Sequence, residues 1–208
     1  MARTVHTLGL DVSLASTGVA VLGCTPDSRW TINTYTIPTT GRDGDPEPLI
    51  LDRMDYVVST IGTAAEHADV IAIERLAFGA KGAAVSTLAG LWWLTYRKIL
   101  RCEVPVVIVP PSSAKKYATG SGNAAKRDVS RATVRLFPDY ETKTGDEDDA
   151  LILAAVAADL AGLPVPYERT KYRIDALAGL LRPDNLEPLA GKEIPRGAGK
   201  TPDGLSAR

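Results

Sequence analysis

Short apolar blocks dominate the start of the chain. Residues 5–12, 17–23 and 30–37 are rich in Val, Ile, Leu, Thr, Tyr and Trp, side chains that suit a pleated, half-buried strand. The links between them, Ser13-Leu14-Ala15-Ser16 and Thr25-Pro26-Asp27-Ser28, carry turn residues. Links this short join antiparallel neighbours, so the pattern predicts a three-strand meander. A Gly-, Asp- and Pro-containing loop follows over residues 38–48.

The period then changes. Ile50, Met54, Val57, Ile61 and Ala65 recur every three or four residues, the spacing of one helix face. Val70-Ile71-Ala72-Ile73 is continuously apolar and runs into Glu74, as expected of a parallel strand buried on both faces. Residues 83–100 form the next helical pattern and residues 104–109 the next buried strand, stopped by Pro110-Pro111. A helix is predicted over residues 125–136. Another opens at Thr144-Gly145-Asp146-Glu147, a capping box with Thr144 as N-cap, and continues through residue 160. Beyond Gly162-Leu163-Pro164 the periodicity fades, apart from a short helical stretch at residues 174–181. We therefore divide the chain into a core domain, residues 1–163, and an extension, residues 164–208, that is at least partly flexible. The order of elements predicts an α/β fold with a mixed five-stranded sheet, three strands antiparallel and two parallel, flanked by helices.

Composition narrows the class. In 208 residues, 45% are hydrophobic and 24% charged, which excludes a wholly disordered chain. The longest uninterrupted apolar run, residues 150–158, is far short of the ~20 residues that cross a bilayer. No signal-peptide pattern opens the sequence, so a cytoplasmic protein without membrane attachment is expected. Cys24 and Cys102 are far apart, and His6 and His67 are the two histidines. A metal in this protein must therefore be held by carboxylates. The net charge of −1 is unevenly spread: residues 97–135 carry nine Lys and Arg against Glu103 and Asp128, a local +7 that leaves −8 for the rest. Such a sector is either a polyanion footprint or a solvated helix face.

Carboxylates end the predicted elements. Asp11 closes the first strand and Glu74 the fourth, while Asp146 and Asp149 open the last core helix. A spacing of three puts Asp146 and Asp149 on one helix face and turns Asp148 elsewhere. Each acid has an ordinary structural explanation: a turn, an ion pair, the helix dipole. If the first and fourth strands are neighbours, however, all four meet, and such a set is tolerated mainly around a divalent cation. Oxygen ligands favour Mg²⁺ or Mn²⁺.

The motifs Gly9-Leu10-Asp11-Val12-Ser13-Leu14-Ala15-Ser16-Thr17-Gly18, Ala72-Ile73-Glu74-Arg75 and Asp146-Glu147-Asp148-Asp149-Ala150-Leu151 resemble those of the RuvC family of Holliday junction resolvases. Lys115 and residues 120–126, Gly-Ser-Gly-Asn-Ala-Ala-Lys, resemble that family's basic region. The resemblance covers about residues 5–160. It implies a ribonuclease H-like fold and a Mg²⁺-dependent endodeoxyribonuclease. It further implies that Asp11, Glu74, Asp146 and Asp149 are catalytic and hold two Mg²⁺ or Mn²⁺ ions per site. Lys115 and Lys126 are the implied DNA contacts, with Lys116 and Arg127 beside them as further DNA-binding candidates, and a homodimer making paired nicks across four-way or other branched DNA is the implied assembly. The helix at residues 83–100, with Leu88, Leu91, Trp92 and Leu94, is the candidate dimer helix; the alternative is that these residues only cover the sheet. The family's junction wedge falls at Ala77 here, which leaves Phe78 as the aromatic candidate. Competing readings are a nuclease of forks, flaps or RNA–DNA hybrids, an actin-like kinase or ATPase, and an inactive DNA-binding scaffold.

Overall fold

The computed structural model describes residues 3–42, 44–76 and 83–189. Phe78, the aromatic candidate, lies outside the described residues. Three strands form first: β1 (Val5–Asp11), β2 (Ser16–Cys24) and β3 (Trp30–Pro38). Then come α1 (Glu47–Ala65), β4 (Val70–Glu74), α2 (Ala83–Leu100) and β5 (Val106–Val109). Four helices close the chain: α3 (Pro111–Thr119), α4 (Lys126–Leu136), α5 (Gly145–Leu160) and α6 (Lys171–Ala178). The sheet order is β3-β2-β1-β4-β5, with β1–β2 and β2–β3 antiparallel and β1–β4 and β4–β5 parallel. This is the mixed five-stranded sheet expected from the sequence, with β1 at its centre. None of the described helices is long and apolar enough to cross a membrane.

Alternation along the strands splits the core into two layers. Leu8, Leu10, Ile71 and Ile73 face α1 and α2, packing with Met54, Val57, Ile61, Leu91, Trp92 and Ile99. Residues of the opposite parity, including Val70, Ala72, Val107 and Val109, face α3, α4 and α5. Helix α5 is the hub of the second layer. It is buried over nearly its whole length, Ala150, Ala154, Ala155, Ala157 and Ala158 among the enclosed residues. A helix apolar on all sides belongs inside, and its alanines keep it slim enough to lie there.

The approach of α5 to the sheet rests on two glycines. A Cβ on Gly9 would lie 2.0 Å from the Ala150 carbonyl oxygen and 2.4 Å from the Ala154 nitrogen. One on Gly18 would lie 2.1 Å from the Asp146 carbonyl oxygen. Both obstacles are backbone, which cannot swing aside. Nearby, the buried Thr7 hydroxyl donates to the Ala154 carbonyl at 3.0 Å.

Helix α3 departs from expectation. Pro110-Pro111 stops β5, yet Pro111 also begins a helix, at the one helical site where a missing N–H costs nothing. The αL conformation of Gly120 (φ 89°) ends it. The last core helix starts at the predicted cap: the Thr144 hydroxyl accepts from the Glu147 N–H at 3.2 Å. The reciprocal half of the box differs, because the Glu147 carboxylate accepts from the Lys143 N–H and the Thr34 hydroxyl instead.

The segment after Leu163 packs on the core as far as it is described. Val165, Tyr167, Ala176, Leu180 and Leu186 join the α3–α4–α5 layer, the Trp30 indole donates to the Pro164 carbonyl, and the Leu189 N–H donates to the Ala161 carbonyl. A buried polar cluster fastens it. The Tyr117 hydroxyl of α3 meets Asp159 of α5 at 3.0 Å and the Tyr167 hydroxyl at 2.8 Å. Arg169 forms an ion pair with Asp159, and the Arg173 guanidinium lies over the Tyr167 and Tyr172 rings at 5.2 and 5.1 Å. Burial pushes the Asp159 carboxyl up despite the opposing charge of Arg169.

Gly18→Ala is expected to destabilise the fold by ~3 kcal/mol or more, at or above the top of the usual ~1–3 kcal/mol for overpacking, as measured by urea unfolding. Leu186→Ala is expected to cost ~2–3 kcal/mol in the same assay. A surface tail would show no change there.

Candidate active site

Strand parity and strand adjacency together assemble the site. Gly9 pairs with Ala72 and Leu10 with Ile73 in the parallel β1–β4 ladder. Each strand runs one residue further, to Asp11 and to Glu74. Asp11 shares its face with Gly9, and Glu74 shares its face with Ala72, which packs in the α5 layer. Both carboxylates therefore point toward α5 at neighbouring strand ends. Opposite Asp11 on β2 stands Gly18, and over Gly18 lies the backbone of Asp146. The missing Cβ at position 18 lets the first turn of α5 reach the strand ends, bringing Asp146 and Asp149 with it.

The turn that leaves β1 is clamped from within. The buried Thr17 hydroxyl bonds the Ser13 carbonyl at 2.5 Å and accepts the Ser13 N–H at 3.1 Å. At the end of β4, the Glu74 carbonyl accepts from the Trp92 indole at 2.7 Å. The turn that follows Asp11 and the backbone of Glu74 are thus held.

Asp11, Glu74 and Asp149 line one cleft of about 300 Å³ together with Pro111, Ala114, Lys115, Lys126, Val129 and Ile152. Asp146 sits at its rim, where the Lys126 ammonium lies 2.8 Å from Asp146 and 3.4 Å from Asp149. The acids therefore have a local counter-charge. Lys126 is the residue that supplies it. Lys116 does not line the cleft; its charge acts on Asp175 of α6. Arg127 stands on the exposed outer side of α4.

Two acids of the Asp146–Asp149 run serve other ends. Glu147 is buried against β3, taking the Thr34 hydroxyl at 2.6 Å. Asp148 is buried and accepts from the Thr142 hydroxyl at 2.6 Å.

The electrostatics follow the geometry. Burial, then the charges of Asp149 and Asp146, raise the Asp11 carboxyl to about 7. Burial, then the charges of Asp11 and Asp149, raise Glu74 to about 8. Burial also raises Asp149 against the pull of Lys126. Burial acts upward on Asp146 as well, but hydrogen bonds from Lys126 and Ser16 outweigh it and hold that carboxyl low. The Lys126 ammonium is raised chiefly by its bond to Asp146.

The donor set is all carboxylate oxygen, which suits a hard divalent cation and no thiophilic one. Among the described residues no three acidic, His or Cys side chains close on one point as a finished cation cage. Lys126 pairs with two of the groups that would build one. In chemistry and placement the set fits such an ion, with Lys126 as the internal stand-in for part of its charge.

At Leu91 and Trp92, both buried, the candidate dimer helix follows the alternative of covering the sheet. Trp93 is the residue that stands out of α2, 61% exposed, with Trp92 edge-on behind it at 5.0 Å. Helix α3, which delivers Lys115, went unrecognised in the sequence; Pro111 in its first turn was the available signal.

Fold and cleft together define a protein of the ribonuclease H-like class. Residues 7–157 match the family model described as crossover junction endodeoxyribonuclease RuvC, and the chain belongs to that family. A protein of that name from Salinispora arenicola is 32% identical over 158 residues, 71% of this chain and 83% of its own. One from Paenarthrobacter aurescens is 28% identical over 163 residues, 76% and 84%. Among solved structures, Thermus thermophilus RuvC shares the fold with a TM-score of 0.60, at 15% identity over 76% of this chain and 97% of that one. The same protein solved in complex with a Holliday junction substrate matches with a TM-score of 0.60 at 17% identity, over 72% of this chain and 90% of that one.

The raised carboxyls carry a sign. Asp11 and Glu74 have folded-state pKa values above their ordinary ones. Their favourable protonated state is complete below pH ~4 and lost as the pH rises through about 7 to 8. In cation-free buffer, Asp11→Asn is expected to raise stability at pH 8 by on the order of 1–2 kcal/mol and to leave it unchanged at pH 4, followed by thermal unfolding at both pH values.

Proposed function

We propose that this protein is a structure-selective DNA endonuclease that resolves Holliday junctions by paired, symmetric nicks. The observation that carries this reading is the meeting of Asp11, Glu74 and Asp149 with Lys115 and Lys126 in one cleft, in a chain of the RuvC family. Acids alone would repel a phosphodiester, and lysines alone would bind it without cutting.

In this reading Asp11, Glu74, Asp146 and Asp149 hold two Mg²⁺ or Mn²⁺ ions. Such ions supply Lewis-acid activation of water and charge for the leaving oxygen. The residues supply the rest. Asp11 and Glu74, fixed through the Thr17 clamp and the Trp92 hydrogen bond, keep their carboxylates in register at the strand ends. Lys126 exchanges its carboxylate partners for a phosphate oxygen as substrate enters. Lys115, carried into the cleft by α3, takes a second one. Lys116 and Arg127 lie outside the cleft and act on more distant phosphates.

The nuclease unit is residues 1–163, and residues 164–208 form an extension. Its described part, residues 164–189, buttresses α3 and α5 and so steadies Lys115 and Asp149. A two-fold homodimer presents two such clefts to a two-fold substrate. The outward face of α2, with Trp93 and Leu100, together with the exposed Tyr56 of α1, provides the apolar surface for it. The protein works in the cytoplasm, where four-way junctions form.

Four-way junction, fork and linear duplex substrates, each with Mg²⁺ or EDTA, test this. Nicking is expected on the junction alone and with Mg²⁺ alone. Asp149→Asn and Glu74→Gln should each lower it at least 100-fold while junction binding persists, because each amide keeps the shape but loses the charge that holds a cation. Undiminished nicking in EDTA, or equal cutting of all three substrates, would overturn the assignment.

A further inference from the structure

The cleft and a second depression flank the first turn of α4. Lys126 lines the cleft. Ala125 and Asp128, on either side of it, line a second, open groove that continues along α4, with Thr119, Ser121, Arg131 and Arg135. Helix α4 is sharply two-sided. Val129, Ala132, Thr133 and Leu136 are buried, which fixes the roll of the helix. The opposite side carries Arg127, Arg131 and Arg135 at successive four-residue steps, all exposed.

Little in the protein occupies these guanidiniums. Asp128 lies 3.9 Å from Arg127 and 3.7 Å from Arg131, and its side chain is 44% exposed and both arginines more so, so these pairs are weak. Among the described residues Arg135 has no ion pair. One acid, Asp128, is therefore shared by two of the three arginines, on a chain whose total charge is −1. The groove wall opposite is built from short polar and small residues, Ser121, Asn123 and Ala124, which leave room for a bulky anionic chain.

We infer that the outer face of α4 is a track for one duplex arm of the branched DNA, with Arg127, Arg131 and Arg135 pairing successive backbone phosphates leading away from the cut. The inference rests on the nuclease reading of the cleft and extends it to a surface outside that cleft. A helix rises 1.5 Å per residue, so the stripe is about 12 Å long. That length corresponds to about three to four base pairs of duplex. Its occupant is the sugar-phosphate backbone, since guanidinium forks suit phosphate and the groove offers no apolar pocket for bases. The cleft lysines act at the scissile phosphate, and the stripe holds the arm in line with it.

Arg131→Gln/Arg135→Gln tests the track, since glutamine keeps helix propensity and removes both charges. Each phosphate-pairing arginine adds ~0.9 to the slope of log binding constant against log salt. In the homodimer the double variant removes four such pairs, so it should lose up to ~3.6 units of slope and bind a four-way junction at least tenfold more weakly at moderate salt. Its thermal unfolding should not shift.

A second substrate locates the contact. In a junction whose phosphates about three to six nucleotides from each of the two symmetry-related cuts are neutral methylphosphonates, parent and variant should bind alike. An unchanged slope in a protein that still nicks junctions would overturn the track while leaving the nuclease reading intact. So would a binding deficit that persists on the methylphosphonate junction, which marks a diffuse field rather than an arm contact. Failure of the parent protein to bind or nick branched DNA would instead overturn the reading of the cleft.

Discussion

Everything at the site depends on how closely α5 lies against β1 and β2. With no Cβ at Gly9 and Gly18, the helix backbone comes into direct contact with the strands. Interiors pack at crystal-like density, so a contact this close sets a position to within a fraction of an ångström. Moving α5 outward by one methyl layer would carry Asp146 and Asp149 away from Asp11 and Glu74. The glycines of the first motif are therefore as much part of the site as its aspartate.

That closeness has an electrostatic cost, which the protein offsets locally. Burial and mutual repulsion raise Asp11 and Glu74 to about 7 and 8, so the cation-free cleft favours proton uptake. Lys126 returns part of the missing positive charge to Asp146 and Asp149. A cleft poised between lysine, protons and divalent cations can exchange one positive partner for another as a phosphodiester arrives. Charge also explains why Glu147 and Asp148 are turned aside: six-carboxylate crowding is avoided by binding them to Thr34, Lys143 and Thr142.

The same layer ties distant segments to the cleft. Lys115 sits two residues from Tyr117, whose hydroxyl meets Asp159 of α5 and Tyr167 of the extension. Helices α3 and α5 are thereby locked together beyond the limit of the family match at residue 157. Such a network is stable only when all its members are present, because each partner left alone would be a buried polar group without its bond.

Much of the fold was legible in the sequence. Runs of β-formers and continuous apolar blocks identified the five strands, helical patterns identified α1, α2, α4 and α5, and Thr144 marked the start of the last core helix, because composition, periodicity and caps are local properties. The four acids stood out because strand ends and a three-residue helix spacing are local as well. The helix at Pro111 was hidden because a proline pair signals both the stop of a strand and the start of a helix. Tertiary structure alone decided which strands are neighbours, and so that Asp11 and Glu74 meet. It also decided that Lys126 pairs with two of the acids, that Trp92 faces inward while Trp93 faces out, and that residues 164–189 close over α3 and α5. These outcomes depend on contacts between residues far apart in the chain, where burial and charge act across space and no local pattern records them.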